Sequence, residues 1–439
     1  MPDIDAIARR LDTLATAVSI GGRTLLLADT NPIPREWDHI TKVDPEGGKR
    51  LPLMYPLYLG HTSAVSVGGS RNVTEQNTLE TFDLLEAAPV TAFHEPSAAT
   101  HVTEDIHDRA EFMAVPEVLN GHTDAIVGAL GKSLEYGREE MAPEIIREKL
   151  PVPVGGTIED RLSNFLTSWL FDAAVFEAYI IMNVDSAAAR EAGVTETDRL
   201  SPREAKQHAM AAEHHLESEV VYLEFSGTFG GEEAVDILDS VDDGVGWSRV
   251  WYGGGLANRE DARAVLEAGA DAVVVGDIFH RTAAEERAHC EAAREALGTD
   301  ADREEIEEWI DETVDVDAFS GTRYLSTIMS VQDPGTLARQ YLATAVETYL
   351  WLVRQRDALA GDPPETLGDI ERALGEGLPW RDASRAGGSG NPTPRDAPSL
   401  DSGVARRLAV SVLADSAGLP APLPVSHLAV GINQFAPDA

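Results

Sequence analysis

Lys42 and Asp44 stand two residues apart in W-D-H-I-T-K-V-D-P, the segment from Trp37 to Pro45. On a strand, that spacing sends both side chains off the same face at the C-terminal end. A lysine holds a phosphate as a point charge, and an aspartate beside it holds Mg²⁺, which bridges a diphosphate. The chain has only five lysines against thirty arginines, so a lysine on an apolar strand is conspicuous. The plain alternative is a Lys–Asp ion pair at a rim. Glu224 lies between Leu223 and Phe225 in an apolar run, where an unpaired carboxylate costs on the order of several kcal/mol. That placement predicts a partner, and a ligand hydroxyl would serve. Tyr222 and Ser226 share its face, two residues to either side.

Glycines end the runs that carry these groups. V-V-Y-L-E-F-S-G closes at Gly227, V-W-Y-G-G-G at Gly255, and V-V-V-G-D places Gly276 before Asp277. V-S-V-G-G-S ends at Ser70, a weak signal alone that gains weight from its position. Glycine lets backbone N–H groups approach an anion closely, and a helix beginning just beyond adds its positive dipole end. A phosphorylated small molecule is the expected ligand.

The elements that must position these residues alternate. Strands are expected at 39–44, 64–68, 90–95, 111–116, 178–183, 220–226, 249–253 and 272–276, with helices between most of them, such as 201–216 and 259–268. Eight strand–helix repeats predict an α/β fold, a (β/α)₈ TIM barrel, with an N-terminal helix over 3–19 and a mostly helical C-terminal extension. The expected division is a leading segment 1–36, a barrel 37–295 and an extension 296–439. The extension has a long amphipathic helix over 336–359 and a Pro/Gly/Ser-rich linker at about 381–403. An insertion, 141–175, breaks the rhythm; its Phe165, Leu166, Trp169, Leu170 and Phe171 are open to two readings, an apolar channel or lipid contact and ordinary packing.

Composition narrows the setting. Asp and Glu number 75 against 35 Lys and Arg, a net charge of −40 spread along the chain, which makes nucleic acid a poor partner. An acidic, lysine-poor surface suits concentrated salt, where like-charge repulsion is screened, and points to a halophilic cytoplasm. One cysteine, Cys290, excludes an intrachain disulfide. The segment M-P-D-I-D carries acid where a secretion signal needs base, and no apolar run reaches membrane-spanning length, so the expectation is a cytoplasmic protein with at most peripheral membrane contact. His94, Glu95 and His122 fit no zinc spacing and read as site walls or satisfied polar groups.

Taken together, W-D-H-I-T-K-V-D-P, V-G-G-S-x-x-V-T-E-x-N (67–77), V-P-E-V-L-N (115–120), Y-I-I-M-N-V-D-S (179–186), Y-L-E-F-S-G-T-F-G (222–230), W-Y-G-G-G and V-V-V-G-D resemble the barrel prenyltransferases that make geranylgeranylglyceryl phosphate in archaea and heptaprenylglyceryl phosphate in some bacteria. The resemblance covers roughly 37–280. It implies Mg²⁺-dependent transfer of a polyprenyl group from its diphosphate to the 3-hydroxyl of sn-glycerol 1-phosphate, a step of ether-lipid synthesis. It places Asp44 and Ser70 on the metal and diphosphate side and Lys42 at the glycerol phosphate. Tyr222, Glu224, Ser226 and Gly227 would hold the glycerol, with Glu224 accepting the hydroxyl proton. Gly254, Gly255, Gly276 and Asp277 would offer backbone N–H groups to the phosphate, with Asp44 across the mouth from them. Four positions depart from the family pattern: Arg71 and Asn72 stand for Asp-Gly, Asp277 for Asn, and Ala187 for a lysine. Two other readings stay open, transfer to a different phosphorylated acceptor such as phosphoglycerate, and a non-catalytic phosphate- or lipid-binding barrel. The extra amphipathic helices make a homo-oligomer the expected assembly.

Overall fold

The computed structural model of the chain describes residues 29–69, 72–123, 125, 129–149, 156–375 and 402–432; the expected helix over 3–19 and nearly all of the linker lie outside them. Eight parallel strands, β1 (His39–Val43), β2 (Ala64–Val67), β3 (Thr91–His94), β4 (Ala114–Val118), β5 (Val175–Ile181), β6 (Val220–Phe225), β7 (Arg249–Gly254) and β8 (Ala272–Val275), form one sheet in the order 3-2-1-8-7-6-5-4. β-Branched runs such as V-V-V in β8 suit strands covered on both faces, and these strands are almost wholly buried. The sheet closes between β3 and β4 through a single bridge, His94 with Met113, supported by bonds from His94 N to Phe112 O (3.1 Å) and from Glu111 N to Ala92 O (2.9 Å). That seam is the thinnest part of the barrel. At the N-terminal end the interior is filled by Ile33 and by Trp37 stacked over Phe93 and Phe112.

The helices before the extension are α1 (Tyr55–Leu59), α2 (Glu75–Leu85), α3 (Glu104–His107), α4 (Ala129–Tyr136), α5 (Ala142–Lys149), α6 (Gly156–Asp172), α7 (Ala187–Ala192), α8 (Pro202–Ala211), α9 (Gly231–Asp242), α10 (Arg259–Glu267) and α11 (Asp277–Leu297). Their starts are encoded locally. Ser201 and Glu204 cap α8 reciprocally with Pro202 in its first turn, and Thr74 with Asn77 does the same for α2. Strand boundaries follow expectation within a residue or two except in two places. β4 lies further along than 111–116, and β5 begins at Val175, where 178–183 was expected. Glu177 explains the latter: its charge reads as a strand break, yet it is fully buried inside the barrel.

The extension adds α12 (Arg303–Thr313), α13 (Ser320–Ser326), α14 (Pro334–Leu359), α15 (Leu367–Leu374) and α16 (Ser402–Ser416). It shares one continuous apolar core with the outer layer of the barrel. The partner of α14 is therefore the chain's own barrel, and burial extends beyond the expected stripe to Leu342, Ala343, Val346, Leu350 and Val353. Polar groups fix the docking: Thr41 Oγ1 to Tyr324 Oη at 2.6 Å and His39 Nε2 to Thr327 Oγ1 at 3.0 Å. The C-terminal segment returns to the loop after β1, where Leu51 and Leu428 form a bridge and His427 meets Glu80 at 2.8 Å. α4, just before the insertion, and α5 and α6 within it form a helical layer from which Leu134, Ile158 and Phe165 project into solvent. No described helix is long and apolar enough to cross a membrane.

Candidate active site

Parallel pairing carries every strand end to one face, so Asp44, Ser226, Gly254 and Gly276 open onto the same mouth. Lys42 points into the barrel and donates to Glu95 Oε1 at 2.6 Å. The same oxygen accepts the Tyr179 hydroxyl (2.8 Å), and Oε2 accepts Ser66 Oγ (2.8 Å). Burial works against the lysine's charge, but Glu95 outweighs it and holds the ammonium above its ordinary pKa. Lys42 thus has an ion-pair partner, Glu95, where Asp44 was the expected alternative. Tyr179 stacks on Tyr222 with ring centres 4.3 Å apart, and the Tyr222 hydroxyl occupies the space that a side chain on Gly253 would need.

Asp44 belongs to a second cluster. Its Oδ2 accepts from Lys49 Nζ at 2.5 Å, and the same ammonium reaches Asp277 Oδ1 at 3.1 Å. His280, in the first turn of α11, braces the loop. Its Nε2 accepts from the Asp44 N–H (3.2 Å), and its Nδ1 lies 3.0 Å from Arg50 O. A backbone N–H only donates and a carbonyl only accepts, so these contacts fix a neutral ring with its proton on Nδ1. Burial, which lowers the His280 pKa, favours the same neutral form. Asp44 stands beside the Gly276–Asp277 end, because β1 pairs directly with β8; the expected placement across the mouth is corrected by that pairing. Ser70, the other expected metal-side residue, lies outside the described residues.

Glu224 is buried in the barrel wall beside Gly253 of the neighbouring strand. Burial raises its pKa, opposed by a hydrogen bond from Ser226 and by the charge of Lys42. A carboxylate moved toward neutrality by its surroundings is placed for proton transfer. Gly227 adopts φ +84°, a left-handed turn that turns the chain out of β6. The Gly255 N–H is already donated to Thr228 O at 2.7 Å, so that glycine serves close packing of two loops and is not a free donor to an anion. The start of α11 remains: its N-cap, Gly276, supplies no side chain, so no side-chain cap occupies the first N–H groups of the helix at the end of β8.

Lys49, Glu177, Tyr179 and His280 escaped the reading of the sequence, whereas Glu95, expected as a site wall or a satisfied polar group, is satisfied by Lys42, Ser66 and Tyr179. Lys49 carried a signal, since the scarcity of lysine that singled out Lys42 applies to it equally. Glu177 and Tyr179 share a strand face by their spacing. His280 had no local signal. Neither oxygen of Glu177 has a hydrogen-bond partner, and burial together with the charge of Glu95 raises its pKa well above the ordinary carboxylate value. A cavity of about 660 Å³ lies against the β3–β4 seam, beginning at Pro96, the residue after Glu95; Met113, Val115, Leu130, Met141 and Phe171 supply much of its apolar wall. His122 lies on that wall.

Among the described residues no group of three or more His, Cys, Asp or Glu is arranged to hold a metal. Mg²⁺ does not need one, because it binds through one or two carboxylates and completes its shell with water and substrate phosphates. Asp44 with Asp277 meets that requirement, and an ammonium already bridges them.

A (β/α)₈ barrel with acid–base groups and glycine-tipped strands at its C-terminal mouth is a scaffold for phosphorylated ligands. A profile of the PcrB family matches residues 33–295, and the chain belongs to that family. The chain is similar to the geranylgeranylglyceryl phosphate synthase of Methanocella arvoryzae, 27% identical over 248 residues that make up 56% of this chain and 92% of that protein. The Halobacterium salinarum protein of the same name is 29% identical over 248 residues, 56% of this chain and 89% of its own length. Among solved structures, (S)-3-O-geranylgeranylglyceryl phosphate synthase from Thermoplasma acidophilum, in complex with substrate sn-glycerol-1-phosphate, aligns with a TM-score of 0.41 at 18% identity, covering 56% of this chain and 86% of that one.

Proposed function

We propose that the chain is a prenyltransferase that moves a geranylgeranyl or similar polyprenyl group from its diphosphate to the 3-hydroxyl of sn-glycerol 1-phosphate, with Mg²⁺ as cofactor, in ether-lipid synthesis. Membership of the PcrB family and relatives named for that product support the reading. The observation that carries it is the convergence of Glu224, Asp44 and the β6 to β8 ends on one mouth.

Tyr222, Glu224 and Ser226 hold the glycerol, and the uncapped start of α11 faces its phosphate. Glu224 takes the proton of the 3-hydroxyl as that oxygen bonds to the prenyl carbon. The carbon–oxygen bond to diphosphate breaks, and the leaving group departs with the bonding electrons. Asp44 would hold Mg²⁺, which when bound would supply charge compensation for the departing diphosphate. The tail needs a dry apolar enclosure, for which the cavity by the β3–β4 seam is large enough. The carboxylate of Asp277, a concern so close to a phosphate, is engaged by Lys49, which favours the glycerol phosphate reading over a changed acceptor.

The test is product formation by the full chain in molar KCl with Mg²⁺, radiolabelled geranylgeranyl diphosphate and, separately, sn-glycerol 1-phosphate, its enantiomer and phosphoglycerate. Extractable labelled lipid phosphate with the first acceptor is the expected result. Product only with phosphoglycerate would shift the substrate, and none with any acceptor would leave a binding barrel.

A further inference from the structure

We infer that Lys49 competes with the divalent cation for Asp44 and Asp277, and that Asp277 serves the cation side of the mouth; the inference rests on the reading of Asp44 given above. One ammonium touches both carboxylates, at 2.5 and 3.1 Å, so a single ion reaches both. The two carboxylates come from the ends of β1 and β8, paired through Thr41 and Val275, and the barrel itself fixes their approach. Asp44 is further held by His280 through its backbone N–H, and its Oδ1 lies close against Gly69, 3.3 Å from where a Cβ there would stand. Lys49 is held less firmly. It follows Gly47 and Gly48, both surrounded by open space, and a third of its side chain is exposed.

A lysine ammonium is a compact, strongly hydrated point charge, and a divalent oxygen-seeking cation meets the same two acceptors with twice the charge. Both cations cannot occupy one gap. Binding of the metal therefore turns Lys49 out toward the mouth, where its charge faces the departing diphosphate. Asp277 stands where the family pattern has asparagine, so the chain carries one more negative charge on this side, and Lys49 balances it when no divalent ion does.

Mn²⁺ binding without substrates, followed by electron paramagnetic resonance in molar KCl to screen the acidic surface, tests the inference on the full-length wild type and on Lys49→Met, Asp277→Asn and Asp44→Asn. Removing the competing ammonium is expected to tighten Mn²⁺ binding roughly tenfold, and Asp277→Asn to weaken it by a similar factor. Asp44→Asn should abolish the site. If Lys49→Met and Asp277→Asn bind as the wild type does while Asp44→Asn loses the ion, the inference is wrong and the assignment of Asp44 stands. If Lys49→Met binds more weakly, Lys49 organises the site and the inference is equally wrong. If Asp44→Asn binds Mn²⁺ unchanged, the assignment of Asp44 fails and the inference with it.

Discussion

At the scale of single residues the account turns on Glu224. A carboxylate that both positions the hydroxyl and takes its proton is worth roughly 10²–10⁴-fold in rate. Glu224→Gln keeps the shape and loses the base, so steady-state turnover should fall by that factor while the circular dichroism spectrum and melting temperature stay near those of the wild type. Turnover within a few-fold of wild type would remove Glu224 from the chemistry. The sequence made Glu224 legible because a charge in an apolar strand is costly wherever it has no purpose. Glu95 was only half legible: its position at a strand end was visible, but its partners Lys42, Ser66 and Tyr179 come from three other strands. Local spacing reports which face a side chain leaves, and it does not report which strand lies opposite. The same limit hid the contact between Lys49 and Asp277, separated by more than two hundred residues and joined only because β1 and β8 close the barrel.

At the scale of elements, strand and helix identities followed from glycine punctuation, β-branched runs and capping residues, whereas the packing of the extension did not. The pattern over 336–359 announced an amphipathic helix but gave no sign that it would pack against α11, α12, α13 and α16 in the core that the extension shares with the barrel. Leu342 sits in that contact with no exposed surface. Leu342→Ala should cost about 2–5 kcal/mol and lower the single melting transition of the whole chain. Two separate transitions, with the barrel unaffected, would show an independently folded extension. Glu286 of α11 offers a second test. It accepts from Leu53 N at 2.5 Å at the start of α1, its other oxygen has no partner, and burial pushes its pKa up from 4.5 to about 8. A raised folded-state value means stability that is complete below the unfolded value of 4.5 and lost as pH rises through about 8. Denaturant midpoints should therefore fall across that interval, and Glu286→Gln should flatten the slope. An unchanged slope in the variant would assign the pH dependence to other groups.

At the scale of the whole molecule, charge dominates. A net charge of −40 opposes compaction at low ionic strength and is screened in concentrated salt. The melting temperature should rise steadily from dilute buffer to molar KCl, and a flat or falling curve would dissociate the composition from any adaptation to salt. The central claim concerns the mouth, where the ends of β6 to β8 receive a glycerol-borne phosphate and Asp44, beside the end of β8, receives a diphosphate. The most direct measurement is a crystal structure of the full chain with sn-glycerol 1-phosphate, Mg²⁺ and a non-hydrolysable prenyl diphosphate analogue. The account predicts the glycerol phosphate at the ends of β6 to β8 with its 3-hydroxyl against Glu224, and the diphosphate beside Asp44. Glycerol phosphate bound away from that rim, or a diphosphate with no path to Asp44, would contradict it.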